Sequence, residues 1–315
     1  MNVRKGMRYL FGILLLSAMW GCSSTNQMGD AKALKPQPAS LVLATPLQVS
    51  YQSELALARL GQMLTELELT SEQRAELFYE RAVVFDRVGL RSLARLDFNR
   101  ALREKPSFAE AYNFIGVYLV QQQNYDEAYE AFDSALELAP DYDFAYFNRG
   151  IALYYGNRPE LAAADIKRVY EVQPEDPYRV IWLYLAEQKI NAAAAMSRMR
   201  ERLNQHDDGA WNWDLVRLYL GEINASQLMA NVVKGVKDNK ELAERLCETY
   251  FYLGKFELGK GNRKEAISYF KLALSNNVYD FIEHRYALLE LELMARKPLP
   301  PGAQSNEPAK SSASS

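Results

Sequence analysis

The chain has 315 residues, 49% hydrophobic and 24% charged, enough for one or two domains with a sizeable core. Its 37 basic and 40 acidic residues leave a formal charge of −3, which argues against the net basic surface that a nucleic-acid binder needs. Two Cys exclude a disulfide scaffold, and two distant His, His206 and His284, make a His-rich metal site improbable on composition alone.

The chain opens with MNVRKGMRYLFGILLLSAMWGC. Arg4, Lys5 and Arg8 form a positive start, and Tyr9 to Trp20 is an uncharged stretch of 12 residues. That is short of the roughly 20 residues a spanning helix needs and suits the apolar core of a signal peptide. Gly21-Cys22 at its end resembles the bacterial lipobox, although Met19 and Trp20 depart from the usual pattern. The resemblance implies that residues 1–21 are removed and that Cys22 is diacylated as the first mature residue. Ser23, where an Asp would favour the inner membrane of enterobacteria, points to the outer membrane, with the protein facing the periplasm. Removal takes three basic residues and no acid, so 34 basic against 40 acidic residues leave −6. Acyl chains rather than charge would then hold the protein to a lipid surface.

Ser23 to about Ser40 is polar with Pro36 and Pro38, and residues 22–45 read as a flexible tether. Residues 46–294 carry helical apolar spacing, and residues 295–315, rich in Pro, Ser and Ala, read as a disordered tail. Ser53 to Leu67 is an amphipathic helix with Leu57, Leu60, Leu64 and Leu67 on one face. It suits either a cap on the body or a contact between two copies.

A period of 34 residues then takes over. Pro106, Pro140 and Pro174 recur at that spacing, as do Ala94, Ala128 and Ala162, and Ala82, Gly116 and Gly150. Phe78, Tyr112 and Tyr146 align, and so do Phe98, Phe132 and Ile166, and Ala101, Ala135 and Val169. The columns resemble the tetratricopeptide repeat, with units 75–108, 109–142 and 143–176. Each unit would be two antiparallel helices, with the small residue of the first (Gly116) facing that of the second (Ala128) so that the pair can cross closely. The Pro ends the second helix. Tyr178–Gln188 with Ala192–Leu203, and Trp211–Leu220 with Ser226–Val236, read as further pairs. Residues 247–280 form a fourth repeat through Tyr250, Leu253, Gly254, Ala266, Phe270 and Ala273, with Val278 in place of the Pro. Phe281–Met294 closes the array. The expected fold is all-α: a solenoid of helix pairs with capping helices at both ends.

Chemistry is sparse. Gly254 to Gly261 nearly spells a P-loop, but Gly261 replaces the Ser or Thr and the stretch lies in a helix with no strand before it. His206 beside Asp207 and Asp208 reads as a solvated helix end, and His284 beside Arg285 and the thiol of Cys247 read as structural. No G-x-S-x-G or H-E-x-x-H motif is present. No catalytic group, cofactor or metal is expected. What remains is the inner wall of the solenoid. It falls at Tyr79, Val83 and Asp86, at Asn113, Val117 and Val120, and at Phe147, Ile151, Tyr154 and Tyr155. These residues suit a bound peptide with apolar anchors, while about half of the Tyr would pack against neighbouring helices instead.

Longer strings, YERAVVFDRVGLRSLARLDF, AYEAFDSALEL, NRGIALYYGNR, DPYRVIWLYLAEQK and NNVYDFIEHRYALLELEL, resemble the NlpI-type family of outer-membrane lipoproteins from about Thr45 to Met294. The resemblance implies a homodimeric adaptor without catalysis. It would dock the periplasmic tail-specific protease Prc and present MepS-like murein endopeptidases to it, with effects on cell-wall growth and division. A pilus-assembly lipoprotein built of the same repeats, and an enzyme with an unrecognised site, are the alternatives.

Overall fold

The computed structural model describes residues 41–296. The signal segment, Cys22, most of the tether and the tail lie outside the described residues. Fourteen helices and no strand form among those described.

Helix α1 (Tyr51–Glu66) starts at Ser50, whose hydroxyl accepts from the Ser53 N–H. It lies against α2 (Ser71–Arg87). Only Leu60 of its apolar stripe is buried, while Leu67 is half exposed. Thr70 and Gln73 form a capping box that satisfies two otherwise orphaned N–H groups at the start of α2. Three pairs follow in the expected register: α2 with α3 (Arg91–Glu104), α4 (Ala109–Gln121) with α5 (Tyr125–Leu138), and α6 (Asp143–Tyr155) with α7 (Pro159–Val172). Ala94, Ala128 and Ala162, with Phe98, Phe132 and Ile166, are fully buried between the paired helices.

The close approach has a different partner from the one expected. A Cβ on Gly116 would stand 2.7 Å from the Phe132 ring, not against Ala128. Gly254 meets Phe270 in the same way, and Gly150 meets Ile166 at 2.6 Å with the Ala162 carbonyl behind it at 3.3 Å. The glycine therefore makes room for a large side chain on the second helix. The turn between the helices also repeats. Gly89, Gln123, Asn157 and Gly261 all have positive φ at the same position of their units. That reversal reproduces the sequence register through the fourth repeat, at the conformational cost that Gln123 and Asn157 carry as non-glycine residues.

Further along, α8 (Pro177–Ile190) and α9 (Ala192–His206) share Asn191, which ends one helix and caps the next. Helices α10 (Trp213–Tyr219) and α11 (Ala225–Val232) are shorter than the apolar spacing suggested, because the chain turns after Leu220 and again after Val232. Helix α12 (Asn239–Gly259) begins two turns before the fourth repeat proper, capped by Asp238, and pairs with α13 (Arg263–Leu274). The near P-loop lies mostly inside α12, with the Gly254 and Lys255 positions buried. Helix α14 (Ile282–Arg296) closes the chain.

Residues 41–45, expected as the end of a flexible tether, are held against the last repeat. The Tyr250 hydroxyl pairs with both backbone groups of Val42, and Asn239 pairs with both backbone groups of Thr45. Leu47 N–H donates to the Asn276 carbonyl at 3.1 Å. Hydrogen bonds from the backbone of this segment to the Tyr250 and Asn239 side chains and to the Asn276 carbonyl are the reason.

Candidate functional site: the inner wall and its closing helix

The first helices of successive units, α2, α4, α6, α8 and α12, turn one face toward the interior of the array. The expected wall residues sit on that face, but they fall into two groups. One part of the wall is aromatic and partly open. Tyr79 lies 4.7 Å from Phe108 and 6.1 Å from Phe114, ring centre to ring centre. Burial, and then Glu110, push the Tyr79 hydroxyl up to about 12. Phe147 and Val83 are half buried, and Phe144, which the wall pattern did not include, is 66% exposed. Asn113 offers nothing to a peptide: it accepts from Asn148 Nδ2 at 3.0 Å and is also bonded to Tyr142.

Toward the C-terminal ends the wall is covered by the chain's own α14. Val117, Val120 and Ile151 are buried apolar core, and the Tyr155 hydroxyl donates to Glu290 at 2.9 Å on α14. Tyr155 also packs against Tyr286 of α14, 5.3 Å between ring centres. These positions, read from the sequence as peptide-binding, are packed within the fold. The half of the repeat wall that received them is filled by α14.

The covering contact is polar. Asp86 on α2 accepts from Arg285 Nη1 at 2.9 Å, from Arg285 Nη2 and from the Tyr118 hydroxyl. The Asp86 and Arg285 side chains are each 4% exposed. Midway along α14, Glu290 accepts from Lys255 Nζ at 2.5 Å. Burial opposes the Lys255 charge, but Glu290, Tyr154 and the hydrogen bonds they make outweigh it and hold the ammonium protonated above its ordinary range. That ammonium also faces the rings of Tyr154 and Tyr155, at 4.6 and 5.1 Å from their centres. His284 Nδ1 accepts from Arg91 at 2.9 Å, and burial followed by Arg91 and Arg285 push its pKa down to about 3, so it is neutral near pH 7. Tyr154, Tyr184, Tyr219, Phe256 and Lys255 line a cleft of about 320 Å³ beside this contact.

Sequence reasoning passed over Arg285, Glu290, Lys255 and Glu283. A signal was available for three of them: α14 carries Glu283, Arg285 and Glu290 interleaved with apolar residues. Among the described residues, no group of three His, Cys, Asp or Glu side chains is placed to hold a metal, and no helix is long and apolar enough to cross a membrane.

The described residues form a helical-repeat array of antiparallel helix pairs. Residues 79–143 match the tetratricopeptide repeat family. The fold is also similar to solved structures at low identity. One is YrrB, described as a tetratricopeptide protein with an unusual peptide-binding site. It is 18% identical over 68% of this chain and 91% of its own, with a TM-score of 0.39. A tetratricopeptide repeat protein from Parabacteroides merdae is 16% identical over 76% and 91%, with a TM-score of 0.46. The pilF protein of Pseudomonas aeruginosa is 19% identical over 78% and 90%, with a TM-score of 0.38. At these scores no binding property passes from those proteins to this one.

Proposed function

We propose that the protein is a lipid-anchored periplasmic adaptor, held to the outer membrane through Cys22. It would bind a Prc-type tail-specific protease and MepS-like murein endopeptidases, as a homodimer, and control hydrolase turnover. The observation that carries the adaptor part is the exposed Phe144 ring on the wall, with the half-buried Phe147 one turn further along the same helix and the half-buried Tyr79 on α2. Exposed aromatic rings on a rigid repeat surface are the usual anchors for a partner's apolar side chains. The protease, the clients and the membrane rest on the resemblance of the sequence strings and of the Gly21-Cys22 junction.

An adaptor acts by proximity. Binding client and protease to one scaffold raises their effective concentration to about the millimolar range for short flexible links. The test is a time course of MepS loss with Prc at increasing adaptor concentration. Acceleration that declines at large excess, when client and protease occupy separate scaffolds, supports the reading. No acceleration at any concentration refutes it, and a deletion strain altered in piliation rather than cell shape would favour the pilus-assembly alternative.

A further inference from the structure

Helices α3, α4 and α14 meet around an open cavity of about 270 Å³. Its charge is unbalanced. Helix α3 brings Arg91 and Arg95, one turn apart on one face, and α14 brings Arg285. Arg285 is already satisfied: it is 3% exposed and donates through both terminal nitrogens to Asp86. Arg91 is half buried, and its Nη2 donates to a neutral acceptor, His284 Nδ1, at 2.9 Å. Arg95 is exposed, and among the described residues neither Arg91 nor Arg95 makes an ion pair. Asp97 of α3 does not neutralise them, because it is buried and held by Arg81 and Arg100. The acid among the lining residues, Glu292 of α14, is exposed.

A guanidinium carries five N–H donors in a planar fork, so one bond to His284 leaves most of the Arg91 fork unspent. Burial, and then Arg285, disfavour the Arg91 charge against the pull of Asp86. An anion between Arg91 and Arg95 would relieve that strain and take charge-assisted hydrogen bonds from both. The other lining residues select its kind. Glu292 opposes a doubly charged anion, Leu288, 36% exposed, offers an apolar surface beside the guanidiniums, and Gln122 adds neutral hydrogen-bonding groups. The volume lies below the roughly 300–1,000 Å³ of sites for whole drug-sized ligands, so it suits one small group.

We propose that this cavity is a carboxylate-binding site, in which Arg91 and Arg95 grip a singly charged carboxylate from the α3 side while Leu288 contacts its apolar stem. It shares no residue with the aromatic part of the wall and does not rest on the adaptor reading. The carboxylate comes either from a free small acid or from an acidic side chain on a partner's peptide.

The experiment follows the Ser92 backbone amide and the Leu288 methyl resonances, both at the cavity, in the isotope-labelled full chain at fixed ionic strength near neutral pH. The probes are sodium acetate, inorganic phosphate, the peptide Ac-Leu-Glu-Leu-NH2 and its Gln counterpart. Saturable shifts are expected with the Glu peptide, and about tenfold weaker binding or less with the Gln peptide, since neutral hydrogen bonds replace charge-assisted ones. Arg91→Gln, which keeps an amide for His284, and Arg95→Gln should each weaken carboxylate binding about fivefold or more. Acetate binding as tightly as the Glu peptide identifies a free small acid as the ligand, and tighter peptide binding identifies an acidic side chain; either sustains the site. No saturation with either carboxylate overturns the proposal. So do equal binding of the two peptides, phosphate binding tighter than both carboxylates, or unchanged affinity in both variants. If Arg91→Gln does not fold, Arg95→Gln decides by the same criteria.

Discussion

Replacing Asp86 by Ala removes the acceptor of three hydrogen bonds and leaves the Arg285 guanidinium 3% exposed with no counter-ion. Stranding one partner of a buried pair costs about 3–5 kcal/mol, because the remaining charge has lost water and gained nothing. Against the roughly 5–15 kcal/mol that keeps a typical domain folded, that is a large fraction. The loss has a ceiling: α14 can leave the wall and carry Arg285 into solvent, so the cost cannot exceed the free energy of docking α14. Two readouts separate the routes. Urea unfolding followed by helical circular dichroism reports the whole array, and hydrogen exchange reports α14 against α5. Asp86→Ala and Arg285→Ala should each lower the urea midpoint or selectively expose α14. The apolar pair D86L/R285M should recover most of the loss, since replacing both charges removes the desolvation penalty as well as the attraction. Addition of 1 M salt should change little, because the pair is shielded from mobile ions. If Asp86→Ala stays within about 1 kcal/mol of wild type with α14 protection intact, the pair does not hold the helix. A double variant that loses the sum of the single losses would also refute the argument.

Gly116→Leu should destabilise the array by about 1–3 kcal/mol or more, because even a Cβ there stands 2.7 Å from the fully buried Phe132 ring. Gly259→Ala, at the end of α12 with open space around it, should be neutral or stabilise by up to about 1 kcal/mol. Equal melting temperatures for the two variants would show the packing to be misassigned. Tyr155→Ser should cost about 3–5 kcal/mol in chemical denaturation, since Tyr155 packs against α14 and Trp182. Phe147→Ser, at a half-buried wall position, should instead weaken capture of a murein endopeptidase while circular dichroism stays; the reverse pattern would place the binding wall elsewhere.

The repeat was legible because its signals are local or between neighbours. The aromatic and small-residue columns, the helix pairs and the four left-handed turn positions all recur at one spacing, so each unit reports on the next. The ion pairs Arg81–Asp97 and Arg149–Asp165 recur two units apart for the same reason. Even so, the partner of Gly116 was not legible, since choosing between Ala128 and Phe132 depends on side-chain volume at a crossing and not on spacing. Within the proposed wall, spacing could not tell Phe147, half buried, from Ile151, fully buried.

By itself the sequence determined the kind of array: antiparallel helix pairs at one repeat spacing and the turns that join them. Only the tertiary structure decided what occupies the inner wall. Arg285 meets Asp86 across 199 residues, and Tyr155 meets Glu290 across 135. No periodicity encodes such contacts. They arise because the path of the whole chain, and not the spacing within one unit, sets α14 against α2, α4 and α6.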